Sequence, residues 1–185
     1  MDRRDRNIGT PVRKSLLAIA GLLALAGCSG QPKPGEAALA CPKVSIVRDL
    51  AEVTQFRAGG RDGSDVVTRA ALSDYSGNCD YTSDGVTVNL SLYVVAERGP
   101  ALQGNQASYR YFVAVTPPNA AQPAAKTEFE STIDFPAGQP RAANKEEVTP
   151  TIPLPREANA KDWQVLVGFQ LTPEQLAYNR SQMKR

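Results

Sequence analysis

Three cysteines, two pairs of carboxylates and a set of tyrosines are the residues of this 185-residue chain whose types and spacing could do chemistry. Cys28, Cys41 and Cys79 offer acylation, a disulfide or metal ligation. Glu128 and Glu130 stand two apart in a stretch with strand periodicity, so they share a face, as paired carboxylates must for acid–base work. The opposite face of that stretch is apolar, so a solvated outer face is the simpler account of both. Asp62 and Asp65 sit in the glycine-rich AGGRDGSDVV, residues 58–67. Calcium takes roughly six to eight oxygens, and two carboxylates with nearby carbonyls could begin such a site. Their spacing matches neither an EF-hand loop nor a glycine-rich nonapeptide repeat, and a turn between strands explains them better.

The chain has no histidine. That removes the commonest general base, and with it the Ser-His-Asp and Cys-His arrangements. A zinc site is disfavoured for the same reason, because Cys41 and Cys79 lie too far apart for a CxxC motif. No phosphate-binding glycine loop and no useful internal repeat occurs. The expectation is a chain that is not an enzyme, with no catalytic residues, no metal and no cofactor. Tyr75, Tyr81, Tyr93, Tyr109 and Tyr111 gather in the middle of the chain. Those on polar faces, Tyr93 above all, could form an exposed patch for a protein or a glycan.

What must position these groups begins with the first 27 residues. MDRRDRNIGTPVRK carries five basic residues against two acidic, and an uncharged run from Leu16 to Gly27 follows. That run is too short for a spanning helix, which needs roughly 20 residues. A basic start, a short apolar stretch and small residues at its end describe a secretory signal peptide. Leu25-Ala26-Gly27-Cys28 resembles the lipobox of bacterial lipoproteins. The resemblance implies diacylglycerol on the Cys28 sulfur, cleavage before Cys28, and commonly a further acyl chain on the freed amine. Two or three chains on one residue make a durable anchor, since each buried methylene contributes about 0.8 kcal/mol. Ser29 in place of an aspartate points, in Gram-negative sorting, to the outer membrane, with the domain facing the periplasm.

Without residues 1–27 the charge falls from +2 to about −1, with 16 basic against 17 acidic residues. No clustered basic face is left, so nucleic acid is not an expected partner. Residues 28–40 read as a lipidated flexible tether, placing the domain about 20 Å from the lipid on average and about 40 Å at full stretch. With Cys28 taken by lipid, two cysteines remain in an oxidising compartment, and a Cys41–Cys79 disulfide follows. It would close a loop of about 39 residues, worth about 4 kcal/mol in the chain-entropy model.

Residues 41–185 read as one domain of strands. In GVTVNLSLYVV, from Gly85, Val86, Val88, Leu90, Leu92 and Val94 face one side. ASYRYFVAVT aligns Tyr109, Tyr111, Val113 and Val115; FESTIDF aligns Phe129, Ile133 and Phe135; DWQVLVGFQL aligns Trp163, Val165, Val167, Phe169 and Leu171. Lys43–Arg48, Val66–Leu72 and a proline-bearing edge at Val148–Leu154 complete about seven strands. Gly59-Gly60, Asp62-Gly63, Gly77-Asn78, Gly99-Pro100 and Pro117-Pro118 are expected reversals, and Asp84-Gly85 a two-residue hairpin turn. The pattern predicts an all-β, immunoglobulin-like antiparallel β-sandwich, with a small barrel as the runner-up. One short C-terminal helix is predicted from Thr172, with Pro173 at its first position and Gln175 completing a capping box. Leu176, Ala177 and Met183 are its expected packing residues, and Arg180, Lys184 and Arg185 form a basic tip.

The functional expectation is a lipid-anchored, non-enzymatic envelope lipoprotein. It would touch the membrane through its lipid and hold or help assemble an envelope protein partner. A binding module for a small ligand or glycan is the alternative.

Overall fold

The computed structural model describes residues 39–155 and 158–183. The leader, Cys28 and most of the tether lie outside the described residues, as do Lys184 and Arg185. Nine strands and one helix occur among those described: β1 (Lys43–Ile46), β2 (Glu52–Phe56), β3 (Val66–Thr82), β4 (Gly85–Arg98), β5 (Gln106–Thr116), β6 (Ala125–Asp134), β7 (Arg141–Val148), β8 (Thr151–Ile152), β9 (Gln164–Phe169) and α1 (Pro173–Met183). One sheet has the order β1-β9-β5-β6, and the other β2-β3-β4-β7 with β8 also on β4. Pairing is antiparallel throughout, except that β1 runs parallel to β9. The all-β sandwich with a C-terminal helix is therefore present, in the two-layer architecture that immunoglobulin-like domains share.

The strand count is nine rather than about seven. Both strands that the periodicity passed over are polar. β2 is the short EVTQF, and β7 is RAANKEEV, whose inward positions are Ala142, Asn144 and Glu146. Strands at a sheet edge need less apolar surface, so they leave a weak alternation signal.

Where the alternation is strong, it holds. Val86, Val88, Leu90, Leu92 and Val94 all lie in the core, opposite Tyr109, Tyr111, Val113, Val115, Val165, Val167 and Phe169. Each such side chain contributes about 1.5–3 kcal/mol by leaving water. In β5 the other face is covered as well, because Phe112 and Ala114 are also buried. Leu50, from a 3-10 turn after β1, packs there beside Gly168. A Cβ on Gly168 would stand 2.8 Å from Leu50 Cβ and 3.1 Å from the Phe112 ring. Lys126 Nζ closes the patch 4.6 Å from the Phe112 ring centroid.

Two expected turns are placed differently. Gly77-Asn78 is no reversal: the pair sits within β3, opposite Leu90 and Asn89. Glycine is needed at 77 for close approach, since a Cβ would lie 2.3 Å from Asn89 O. The β3–β4 loop is Ser83-Asp84, with Thr82 paired to Gly85. Gly85 opens β4 at φ 135, where a Cβ would meet Ile152 O at 2.0 Å. An extra residue, Ser73, bulges β3 so that Leu72 and Tyr75 both point inward.

One side of the sandwich, between β1 and the far half of β3, is stapled. Cys41 and Cys79 form the disulfide, with Cα atoms 5.6 Å apart. The Tyr75 hydroxyl donates to Val44 O at 2.9 Å, and the Tyr81 hydroxyl donates to Ala40 O at 2.7 Å. Tyr81 Oη also accepts the Ala160 N–H at 2.8 Å. The chain's approach to β1 is thereby tied to the opposite sheet.

The capping box of α1 forms as predicted: Thr172 N–H donates to Gln175 Oε1 and Gln175 N–H to Thr172 Oγ1. Its docking residues differ from those expected. Leu176 is half-buried, as expected, but Met183 and Ala177 are exposed. Contact runs instead through Tyr178, edge-on to Phe56 at 5.2 Å, and Asn179, whose amide donates to Asp49 O and Glu52 O. Arg180 pairs with Asp49 at 2.9 Å. The helix so covers the free edge of β2.

Candidate functional site

The residues singled out for chemistry are dispersed by the fold. Glu128 is engaged by Arg110 and Lys126, and Glu130 is exposed on the same outer face. Asp65 is buried and accepts from the backbone N–H groups of Arg61 and Asp62 and from the Arg57 side chain. Those donors, the Asp62 amide foremost, hold its carboxyl below the usual carboxylate range. With three donors on its two oxygens, Asp65 organises the loop that precedes β3. Among the described residues no group of three or more Asp, Glu, His or Cys converges in a way that could hold a metal.

The tyrosines do not form one patch. Tyr109 and Tyr111 are core residues, and Tyr75 and Tyr81 are the staples already described. Tyr93 alone stands on the outer face of its sheet, 38% exposed.

Hollows of about 620 and 280 Å³ lie where α1 packs on β2, and two further concave features flank one interruption in the other edge of that sheet. The stretch expected as an edge strand at Val148–Leu154 is split: β7 stops at Val148, and only Thr151–Ile152 pairs again. Pro150 has no N–H to continue the ladder. Its carbonyl accepts from Val88 N–H at 2.9 Å. The register is the same on both sides of the break, Leu90 facing Val148 and Thr87 facing Thr151, so Pro150 costs the ladder one N–H, and a hollow lies on each side of this stretch.

The inner hollow lies between β6 and β7, the open side of the sandwich. At its closed end Asn144 Nδ2 donates to Thr132 O, and Ser131 Oγ donates to Glu146 Oε1 at 2.6 Å. Tyr111 Oη lies 3.5 Å from Glu146 Oε2, and its ring stacks on Phe129 at 5.3 Å. Towards Ala125 and Val148 the strands part, leaving a groove of about 380 Å³ walled by Val113, Val115, Thr127, Phe129, Val148 and Pro150. Among the described strands, β6 pairs only with β5, so its second edge looks into this opening.

The outer hollow lies on the face of β3, β4 and β7. The register there sets side chains in rows across the strands: Arg69–Glu97–Arg141, Ala71–Val95–Ala143, Asp74–Tyr93–Lys145, Ser76–Ser91–Glu147, then Asn78–Asn89 and Asp80–Thr87. Arg141 pairs with Glu97, and Lys145 with Glu147. Asn89 Nδ2 donates to both Asn78 Oδ1 (2.8 Å) and Asp80 Oδ2 (2.7 Å). A shallow notch of about 470 Å³ opens beside Asn89, where the third strand is interrupted at Thr149.

Burial pushes the Tyr111 phenol well above its usual value, and the Glu146 carboxylate adds to the shift. Burial raises Tyr109 too, with the Thr68 hydroxyl opposing. Both groups hold their protons more tightly folded than unfolded. Their contribution to stability is therefore complete below pH about 10 and is lost as pH climbs beyond it. Stability followed by denaturant titration is expected to fall above that pH, and to fall less steeply in Tyr111→Phe. Equal slopes in the parent and the variant would remove Tyr111 from the alkaline limb.

No protein-family model, no curated protein and no solved structure matches this chain.

Proposed function

We propose that this chain is a bacterial envelope lipoprotein, anchored by lipid on Cys28 to the outer membrane and facing the periplasm. Its sandwich holds or helps assemble a protein partner and carries out no reaction. The observation that supports this reading is the difference between the two sides of the sandwich. One is closed by the disulfide and two tyrosine hydroxyls, and the other presents the unpaired edge of β6 over a groove of mixed lining, Val113, Val115 and Phe129 with Glu147, Thr149 and Thr151. Unpaired edges are templates for strand addition: backbone hydrogen bonds supply affinity, and pockets for alternate side chains supply specificity. An extended segment along β6 would set every second side chain beside Thr127 and Phe129, over the groove that Val113 and Val115 floor. The tether keeps the start of the domain within about 40 Å of the membrane.

The test is a site-specific crosslinker at Thr127, on the groove, and at Ser45, outside it, in the natively anchored protein. One envelope protein captured repeatedly from Thr127 and not from Ser45, with an acylated Cys28 by mass spectrometry, is the expected result. Capture of no envelope protein, or a bare Cys28, would sink this reading.

A further inference from the structure

We propose that the outer face of β3, β4 and β7 binds a neutral glycan chain, with Tyr93 as the stacking surface and the notch beside Asn89 as the hydrogen-bonding subsite. This goes beyond the partner groove and does not depend on it.

The argument starts from what a sugar ring presents: a flat C–H face and hydroxyls that both donate and accept. Tyr93 offers an exposed aromatic face on a rigid central strand. Below it stand Ser91, Ser76, Asn89 and Asn78, short side chains that lose little rotamer freedom on binding. The amide of Asn89 is already oriented. Both of its N–H bonds go to Asn78 and Asp80, which leaves Asn89 Oδ1 to accept and Asn78 Nδ2 to donate.

Charge decides against the other ligands. Of the cations on these rows, Lys145 pairs with Glu147 and Arg141 with Glu97, and Arg69 lies in the row farthest from the notch. Asp74 and Asp80 flank Tyr93 and the notch, and the face as a whole carries one carboxylate more than its cations, so phosphates, uronates and nucleic acids are disfavoured there. A protein interface would call for larger anchors than the Ala71–Val95–Ala143 row provides. Tyr93 and Asn89 lie four residues apart on β4, about 13 Å along the strand. The ligand is therefore a short chain of rings and not a single sugar.

The test is an NMR titration of the full mature chain with chitohexaose, cellohexaose, maltohexaose and, as an anionic comparator, an oligogalacturonate. Saturable shifts at Asn89, Ser91 and Tyr93 with at least one neutral hexaose, and none with the comparator, are expected. Tyr93→Ala should weaken that binding about tenfold and Tyr93→Phe preserve it, because the ring and not the hydroxyl makes the contact. Asn89→Ala provides a second, independent loss, and the thermal midpoints of all three variants check that each folds. The proposal is overturned if no neutral hexaose gives saturable shifts, or if the oligogalacturonate binds better. It is equally overturned if the shifts survive Tyr93→Ala or gather in the β6–β7 groove.

Discussion

Replacing Cys41 and Cys79 together with alanine lowers the midpoint of thermal unfolding by roughly 10 °C. The bridge spans a sequence separation of 38, and closing a loop of that size is worth about 4 kcal/mol in the chain-entropy model. About 3 kcal/mol is a reasonable net, because measured bridges usually deliver less than the model. For a domain of this size each kcal/mol moves the midpoint by about 3 °C. The loss should also be uneven. β1 has four residues, lies at a sheet edge and presents only Val44 and Ile46 to the core. Without the bridge, β1 is tied to the opposite sheet by the Tyr75 bond to Val44 O and the Tyr81 bond to Ala40 O, and otherwise keeps its edge pairing with β9. Hydrogen exchange at Lys43–Ile46 should therefore accelerate far more than in β4 or β5. A midpoint within about 2 °C of the parent would show that the hydroxyl staples and edge pairing suffice.

Glu146→Leu is the second large effect, at about 2–3 kcal/mol of stability by denaturant unfolding, whereas Glu146→Gln costs less than about 1 kcal/mol. Glu146 reaches inward from β7 and accepts from Ser131, with Tyr111 at the limit of hydrogen bonding; both partners are 1% exposed. Leucine removes the acceptor and leaves buried hydroxyls unsatisfied, which costs more than the bond itself contributes. Glutamine keeps an oxygen in place. The triple change Tyr111→Phe, Ser131→Ala and Glu146→Leu should recover most of the loss, since removing a polar set entirely is close to neutral. Equal losses for Gln and Leu, or no recovery in the triple variant, would assign the effect to packing of the Glu146 stem.

Both effects fall on groups whose legibility in the sequence differed. The disulfide followed from parity once Cys28 was set aside, and the capping box of α1 followed from Thr172, Pro173 and Gln175, because those bonds form within four residues. The inward row of β4 followed from alternation, which is a property of the strand alone. The Ser131–Glu146–Tyr111 set did not. It joins β5, β6 and β7 across two sheets, and Glu146 reads locally as one more charge in the polar run RAANKEEV. Phe112 was hidden for a related reason: alternation names two faces, but only Leu50, from another part of the chain, makes the second one dry.

By itself, then, the sequence determined which residues alternate, where the helix starts, which cysteines pair and the two-layer character that long half-apolar strands impose. Only the tertiary structure decided that Gly77 serves close approach and not reversal, that one side of the sandwich is stapled and the other open, and that hollows flank the break between β7 and β8. The division has one physical cause. Periodicity and capping are governed by neighbours along the chain, whereas which strand lies beside which, and what it leaves uncovered, is settled by contacts between segments tens of residues apart.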